Sequence, residues 1–200
     1  MKRTIITFLA ILFSYFSLTA QEKQNVTIDL GLSQNYKGFF YLYNGVVEFG
    51  LTYNHQIVKS LYGGASFHID FLSRSNSSAR TIVYKPKVNL NYNFKTTSWS
   101  SINPMVFVGY SFVNISNGEF NYAETQKGFN TGAELKFIWY SKAKVDYYFF
   151  GRYDFIYLNE DLNFTQLEYY RKLHLSSFGI GIKIKPKKNV RYPTPKTMDQ

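Results

Sequence analysis

The 200-residue sequence predicts an all-β protein, an eight-stranded antiparallel up-and-down transmembrane β-barrel. Three observations carry that expectation. Side chains alternate with period two through eight separate segments, and no stretch after residue 20 reaches eighteen consecutive apolar residues, which excludes a helical membrane protein. The polar face of the alternating segments also carries more charge than a dry core tolerates. The length is that of one domain, so one architecture has to account for the chain. Aromatic residues make up 20% of the sequence, an abnormal load for a soluble domain.

Composition removes several classes of function. The chain has no Cys, which excludes a disulfide framework, a thiolate metal site and a Cys nucleophile. Three His residues leave little for a His-rich site, and neither a metal nor a cofactor is expected. The formal charge of +10 falls to +8 once Lys2 and Arg3 are removed, and the basic residues are dispersed through the body. An exported chain of this kind is not expected to bind nucleic acid.

Residues 1–20 have the three-part layout of a secretory signal peptide. Lys2 and Arg3 are followed by the apolar run 5–18 and then by Leu18-Thr19-Ala20, after which cleavage is expected. A run of 14 residues is short of the ~20 that a spanning helix needs. No Cys follows the small residue, so a lipoprotein anchor is closed off.

The eight strands are expected within residues 26–184. The first sets Val26, Ile28, Leu30 and Leu32 against Thr27, Asp29, Gly31 and Ser33. The second sets Val47, Phe49, Leu51 and Tyr53 against Glu48, Gly50, Thr52 and Asn54. The third sets Leu61, Ala65, Phe67, Ile69 and Phe71 against Tyr62, Gly64, Ser66, His68 and Asp70. The fourth alternates most cleanly, with Ile82, Tyr84, Val88, Leu90, Tyr92 and Phe94 opposite Val83, Lys85, Lys87, Asn89, Asn91 and Asn93. The fifth carries Val106, Val108, Tyr110 and Phe112, and the sixth sets Phe129, Ala133, Leu135, Phe137 and Trp139 against Asn130, Gly132, Glu134 and Lys136. The seventh sets Val145, Tyr147, Phe149, Tyr153 and Phe155 against Asp146, Arg152 and Asp154. The eighth sets Phe178, Ile180, Ile182 and Ile184 against Ser177, Gly179, Gly181 and Lys183.

One face is thus almost wholly apolar, while the other collects Asp29, Glu48, His68, Asp70, Lys85, Lys87, Glu134, Lys136, Asp146, Arg152, Asp154 and Lys183. Both facts are satisfied if the apolar face looks into lipid and the polar face fills a narrow lumen. Connection lengths agree with this inside-out reading. Short turns are expected near 55–60, 95–101 and 141–144 at the periplasmic end, and longer connections around 35–44, 73–80, 114–127 and 159–172 at the outer end. Trp99, Trp139, Tyr53, Phe94 and Tyr147 fall near the first end and Phe71, Phe112, Phe129 and Tyr157 near the second, as aromatic girdles do.

These features resemble the eight-stranded outer-membrane β-barrel domain family, the small barrels of the OmpA and OmpX types. The resemblance rests on the signal ending Leu18-Thr19-Ala20-Gln21, on Ile102-Asn103-Pro104 entering the aromatic and glycine-containing stretch 105–112, and on the closing strand 177–184. It implies an outer-membrane location, insertion by the barrel-assembly machinery, contact with outer-membrane lipid and a monomeric barrel. Such barrels commonly end on an aromatic residue, whereas this last strand ends at Ile184 and the chain continues for sixteen residues.

The lumen charges nearly cancel, which fits a paired plug, with a proton or ion path and a small solute channel as the alternatives. His174 and Ser176 stand two apart on one strand face and faintly resemble the His-x-Ser pair of outer-membrane lipid A deacylases, with Glu168 or Glu160 as the carboxylate. The family pattern continues with Asn, where this chain has Ser177 and Phe178, so an ordinary interfacial His is expected and no catalytic residues. The tail 185–200 is basic and contains three Pro, so it cannot continue a paired strand. A periplasmic tether to peptidoglycan or an envelope partner is its functional alternative. The outer segments Glu119-Phe120-Asn121-Tyr122 and Glu168-Tyr169-Tyr170-Arg171 mix Tyr, Asn and charge as contact surfaces do. The expected role is structural or surface interaction through the outer loops, without enzymatic activity.

Overall fold

Strands that alternate apolar and polar side chains have one face for each environment, and here the sheet closes on itself to separate them. The computed structural model describes residues 24–36, 43–74, 79–117, 122–159 and 172–185. The predicted signal peptide 1–20, Glu160, Glu168, the segments 119–121 and 169–171, and the tail from residue 186 lie outside the described residues.

The strands are β1 (Gln24–Asn35), β2 (Tyr43–Val58), β3 (Leu61–Arg74), β4 (Ala79–Tyr92), β5 (Phe94–Lys95), β6 (Ser100–Asn117), β7 (Tyr122–Trp139), β8 (Val145–Leu158) and β9 (Lys172–Ile184). The two-residue β5 continues β4 beyond Asn93 and pairs the same neighbour, Phe94 opposite Ile102. The assembly is therefore a closed eight-stranded antiparallel barrel, in which each strand pairs its chain neighbours and β1 closes on β9. Closure runs from Val26 opposite Ile184 to Asn35 opposite Leu175. It leaves no unpaired edge along that seam, which matters because an open edge invites pairing with other chains.

Burial follows residue parity. Leu32 is 67% exposed and Phe178 63% exposed, whereas Asp29 and Asp154 on the other face are fully buried. The exposed face carries large apolar side chains on all eight strands, from Ile28 and Leu30 on β1 to Ile180 on β9. Aromatic rings pack against one another on this outer surface, Trp139 lying 4.6 Å from Phe137 and 5.1 Å from Phe149 by ring centroid.

Strand lengths depart from the sequence expectation. Residues 114–127 are predicted as a long connection, but β6 runs to Asn117 and β7 starts at Tyr122, leaving only 118–121 between them. Val113 and Ile115 point inward there and join Leu72, Val83, Ile156, Leu158, Leu173 and Leu175 in a buried apolar cluster. The strands extend because that cluster rewards their inward residues with burial. The connection 75–78 spans the same number of residues, so two of the four connections at this end are shorter than the turn 140–144 at the other. The expected alternation of short and long connections holds only at 36–42 and 159–171. At the end that carries the described termini, β2 continues to Val58 and turns at Lys59-Ser60, Lys59 taking a left-handed φ of 41°.

Candidate functional site

The inward residues form three layers along the barrel axis. Nearest the described termini is an amide layer from β1, β2, β4 and β6. Asn54 donates to Asn25 Oδ1 (3.3 Å), Asn91 to Asn54 Oδ1 (2.8 Å), and Asn103 to Asn91 Oδ1 (3.1 Å). At the opposite end lies the apolar cluster of Leu72, Val83, Val113, Ile115, Ile156, Leu158, Leu173 and Leu175. The sequence expectation of a polar inner face is corrected here, because this layer occupies the inward positions with aliphatic side chains.

Between them is a network of charges with Arg152 at its centre. Arg152 donates Nε to Glu134 Oε2 (2.5 Å), Nη1 to Glu48 Oε1 (2.5 Å) and Nη2 to Asp29 Oδ2 (2.8 Å). Lys85 Nζ meets Asp70 Oδ2 (2.6 Å), Asp154 Oδ2 (3.0 Å) and Glu48 Oε1 (3.1 Å). Lys136 Nζ reaches Glu134 Oε1 (3.1 Å), Asp29 Oδ1 (3.6 Å) and Thr27 Oγ1 (3.2 Å). Lys87 pairs with Asp154, which also accepts from Asn130 Nδ2 (3.2 Å). His68 Nε2 sits 3.5 Å from Asp29 Oδ2. Five acidic side chains thus meet three Lys and one Arg, with His68 beside them, and every one of these groups is buried.

Small residues make room for the network. A Cβ at Gly50 would stand 2.8 Å from Asp29 Oδ2 and closer still to the His68 ring. A Cβ at Gly181 would stand 2.6 Å from Ile28 O and closer still to the Tyr148 ring. Tyr148 occupies that space and donates its hydroxyl to Asp29 Oδ1. Aromatic faces cover the cations: Lys87 Nζ lies 3.9 Å from the Phe107 ring centroid, Lys136 Nζ 4.7 Å from that of Tyr148, and the Arg152 guanidinium 4.7 Å from that of Phe150. A buried charge needs such partners, since unpaired ions in a low-dielectric interior are costly.

Of the twelve polar residues that the sequence places on the inner face, ten join this network. Asp146 and Lys183 do not. Asp146 lies at the terminus-bearing end, accepting from Ser141 N (2.8 Å) and pairing with Lys185 Nζ (2.7 Å). Lys183 sits 5.9 Å from the Tyr62 ring centroid. Thr27 and Asn130 stand on the polar face that the sequence predicts, and both join the network. Tyr148 is the member that the sequence reading missed, although it shares the parity of Asp146 two residues before it, because an aromatic side chain on a polar face does not look like part of a charge network.

His174 and Ser176 occupy the outward face. His174 Nδ1 is 2.5 Å from the Tyr153 hydroxyl and its ring packs on Phe155, with centroids 5.0 Å apart. Glu160 and Glu168 lie outside the described residues. Among the described residues, no group of three His, Asp or Glu side chains is placed to hold a metal ion.

No protein-family model matches the sequence, and a search of curated proteins gives no match. Solved structures do match in fold. Neisserial surface protein A aligns with a TM-score of 0.63 at 11% identity, covering 81% of this chain and 96% of its own. Ail, the attachment invasion locus protein of Yersinia pestis, aligns at 0.52 and 14% identity over 82% and 99%. It has also been solved in complex with the heparin analogue sucrose octasulfate. The N-terminal β-barrel domain of Pseudomonas aeruginosa OprF aligns at 0.50 and 13% identity over 82% and 98%. All three are eight-stranded outer-membrane barrels, and this chain has their fold.

Proposed function

We propose that the protein is a monomeric integral outer-membrane barrel with a plugged lumen, acting structurally or in surface contact through the connections at its outer end. The observation that carries this reading is the exchange of faces. Large apolar side chains are exposed on every strand, while the interior holds the ion-paired network. In water the arrangement would leave an extensive apolar surface unsatisfied, and in lipid that surface is matched to its surroundings. An eight-stranded barrel has an interior just wide enough for side chains, and here ions and then aliphatic groups occupy it in succession. An ion crossing it would have to break the paired network and pass the apolar layer, which supports a plug over a channel.

On this reading the barrel-assembly machinery inserts the chain, outer-membrane lipid surrounds it, and residues 185–200 face the periplasm, where they are offered to peptidoglycan or an envelope partner. The fold shared with Ail, an attachment invasion locus protein, supports a contact role of the same class. A catalytic role is not proposed; His174 rests with its Nδ1 against the Tyr153 hydroxyl and its ring on Phe155, as an ordinary interfacial side chain does. The test combines gel migration of the folded chain before and after boiling with planar-bilayer recording. A heat-modifiable species that is electrically silent is expected. A water-soluble species without heat modification would overturn the membrane reading, and regular conductance steps would overturn the plug. A changed lipid A acylation pattern on loss of the gene would restore the enzyme reading.

A further inference from the structure

We infer that the barrel carries a binding site for an anionic phospholipid at its terminus-bearing rim, with an acyl chain in an outward groove and the phosphate held by Lys142 and Lys144. The inference rests on the membrane reading above and adds a ligand class and a location to it. The groove is about 490 Å³ and crosses β1, β9 and β8. One wall is the row Ile28, Ile182 and Tyr147, in which Ile182 is the register partner of both others, and the other is the row Leu30, Ile180 and Phe149. Trp139 closes the β7 end.

The turn between Trp139 and Tyr147 adjoins this groove, and those two residues are themselves paired across β7 and β8. Lys142 and Lys144 lie on that turn, both exposed, and neither has an ion-pair partner among the described residues. Neighbouring groups brace the turn. Lys185 Nζ pairs with Asp146 (2.7 Å) and donates to Ser141 O (2.5 Å) and Ala143 O (3.3 Å), while Ser141 Oγ accepts from Ala143 N (3.0 Å). Asp146, the acid nearest the turn, is buried and engaged by Lys185, so it does not neutralise Lys142 or Lys144. Among the described residues, the other exposed charges of this rim are Lys59 and Lys95, and no exposed acid accompanies them. An apolar groove that adjoins a braced turn bearing two exposed lysines without an ion-pair partner is complementary to a lipid whose headgroup is negative. Tyr147 and Trp139 stand where aromatic side chains mark the headgroup level.

The experiment uses the full mature chain folded into phosphatidylcholine vesicles, with Trp99→Phe so that Trp139 is the sole tryptophan. Quenching of Trp139 is compared between brominated phosphatidylglycerol and brominated phosphatidylcholine. The expected result is a preference for phosphatidylglycerol that falls about fivefold for each lysine removed in Lys142→Ala and Lys144→Ala and weakens with added salt. Lys59→Ala with Lys95→Ala, which removes two lysines from elsewhere on the same rim, is expected to retain the preference. Equal quenching by the two lipids, or a preference that survives the Lys142 and Lys144 substitutions, overturns the site alone. No quenching by either lipid overturns the membrane reading and the site with it.

Discussion

Replacing Arg152 by Met is expected to remove about 3–5 kcal/mol of folding stability, the usual cost of deleting one partner from a buried ion pair. The side chain makes three charge-assisted hydrogen bonds, to Glu134 and Glu48 at 2.5 Å and to Asp29 at 2.8 Å. At about 1.5–3 kcal/mol each, simple addition gives roughly 5–9 kcal/mol. Addition overstates the loss because the carboxylates share other cations: Glu48 keeps Lys85 at 3.1 Å, and Asp29 and Glu134 keep Lys136 at 3.6 and 3.1 Å. The assay is urea unfolding in lipid vesicles, with the folded fraction read from heat-modifiable gel mobility. With a urea slope of about 1–3 kcal/mol per molar, the midpoint should fall by roughly 1 M or more. Arg152→Lys should fall between the two, since it keeps the charge but not the planar fork. A loss below about 1 kcal/mol would refute the reasoning, because it would mean that water hydrates the three carboxylates and the central layer is not dry.

Other substitutions test the remaining layers. Leu30→Arg, at a position 46% exposed, should cost about 2–4 kcal/mol in vesicles if that face meets lipid near the bilayer midplane, against under about 0.5 kcal/mol at an ordinary water-exposed site. Urea midpoints distinguish the two. Gly181→Val should destabilise the barrel by about 1–3 kcal/mol or more, because its Cβ meets Ile28 O and the Tyr148 ring, and its folded yield in detergent should drop. Ile156→Ala, fully buried in the apolar layer, should cost about 2–5 kcal/mol, measured by the same unfolding curve.

The alternating segments were legible because strand parity is local: residues two apart share a face whatever the rest of the chain does. Asp29, Glu48, Lys85 and Arg152 could therefore be placed on the inner face from their immediate neighbours. The apolar layer escaped notice for the same reason. Leu72, Leu173 and Leu175 look like any other strand leucines until β3, β8 and β9 are brought together. Strand ends were the weakest expectation, and Val113 and Ile115 explain it: they extend β6 only because partners from distant strands bury them.

By itself the sequence determined the class of fold, since period-two alternation with charge on one face and large apolar groups on the other has few physical solutions other than an inside-out barrel. The tertiary structure alone decided who meets whom. Arg152 finds Asp29 across 123 positions of chain, and Lys85 finds Asp154 across 69, contacts that exist only once β1 has closed on β9 and the register is set. Parity assigns a side chain to a face. Pairing, stagger and closure assign it to a partner, and those are long-range properties that no local pattern encodes.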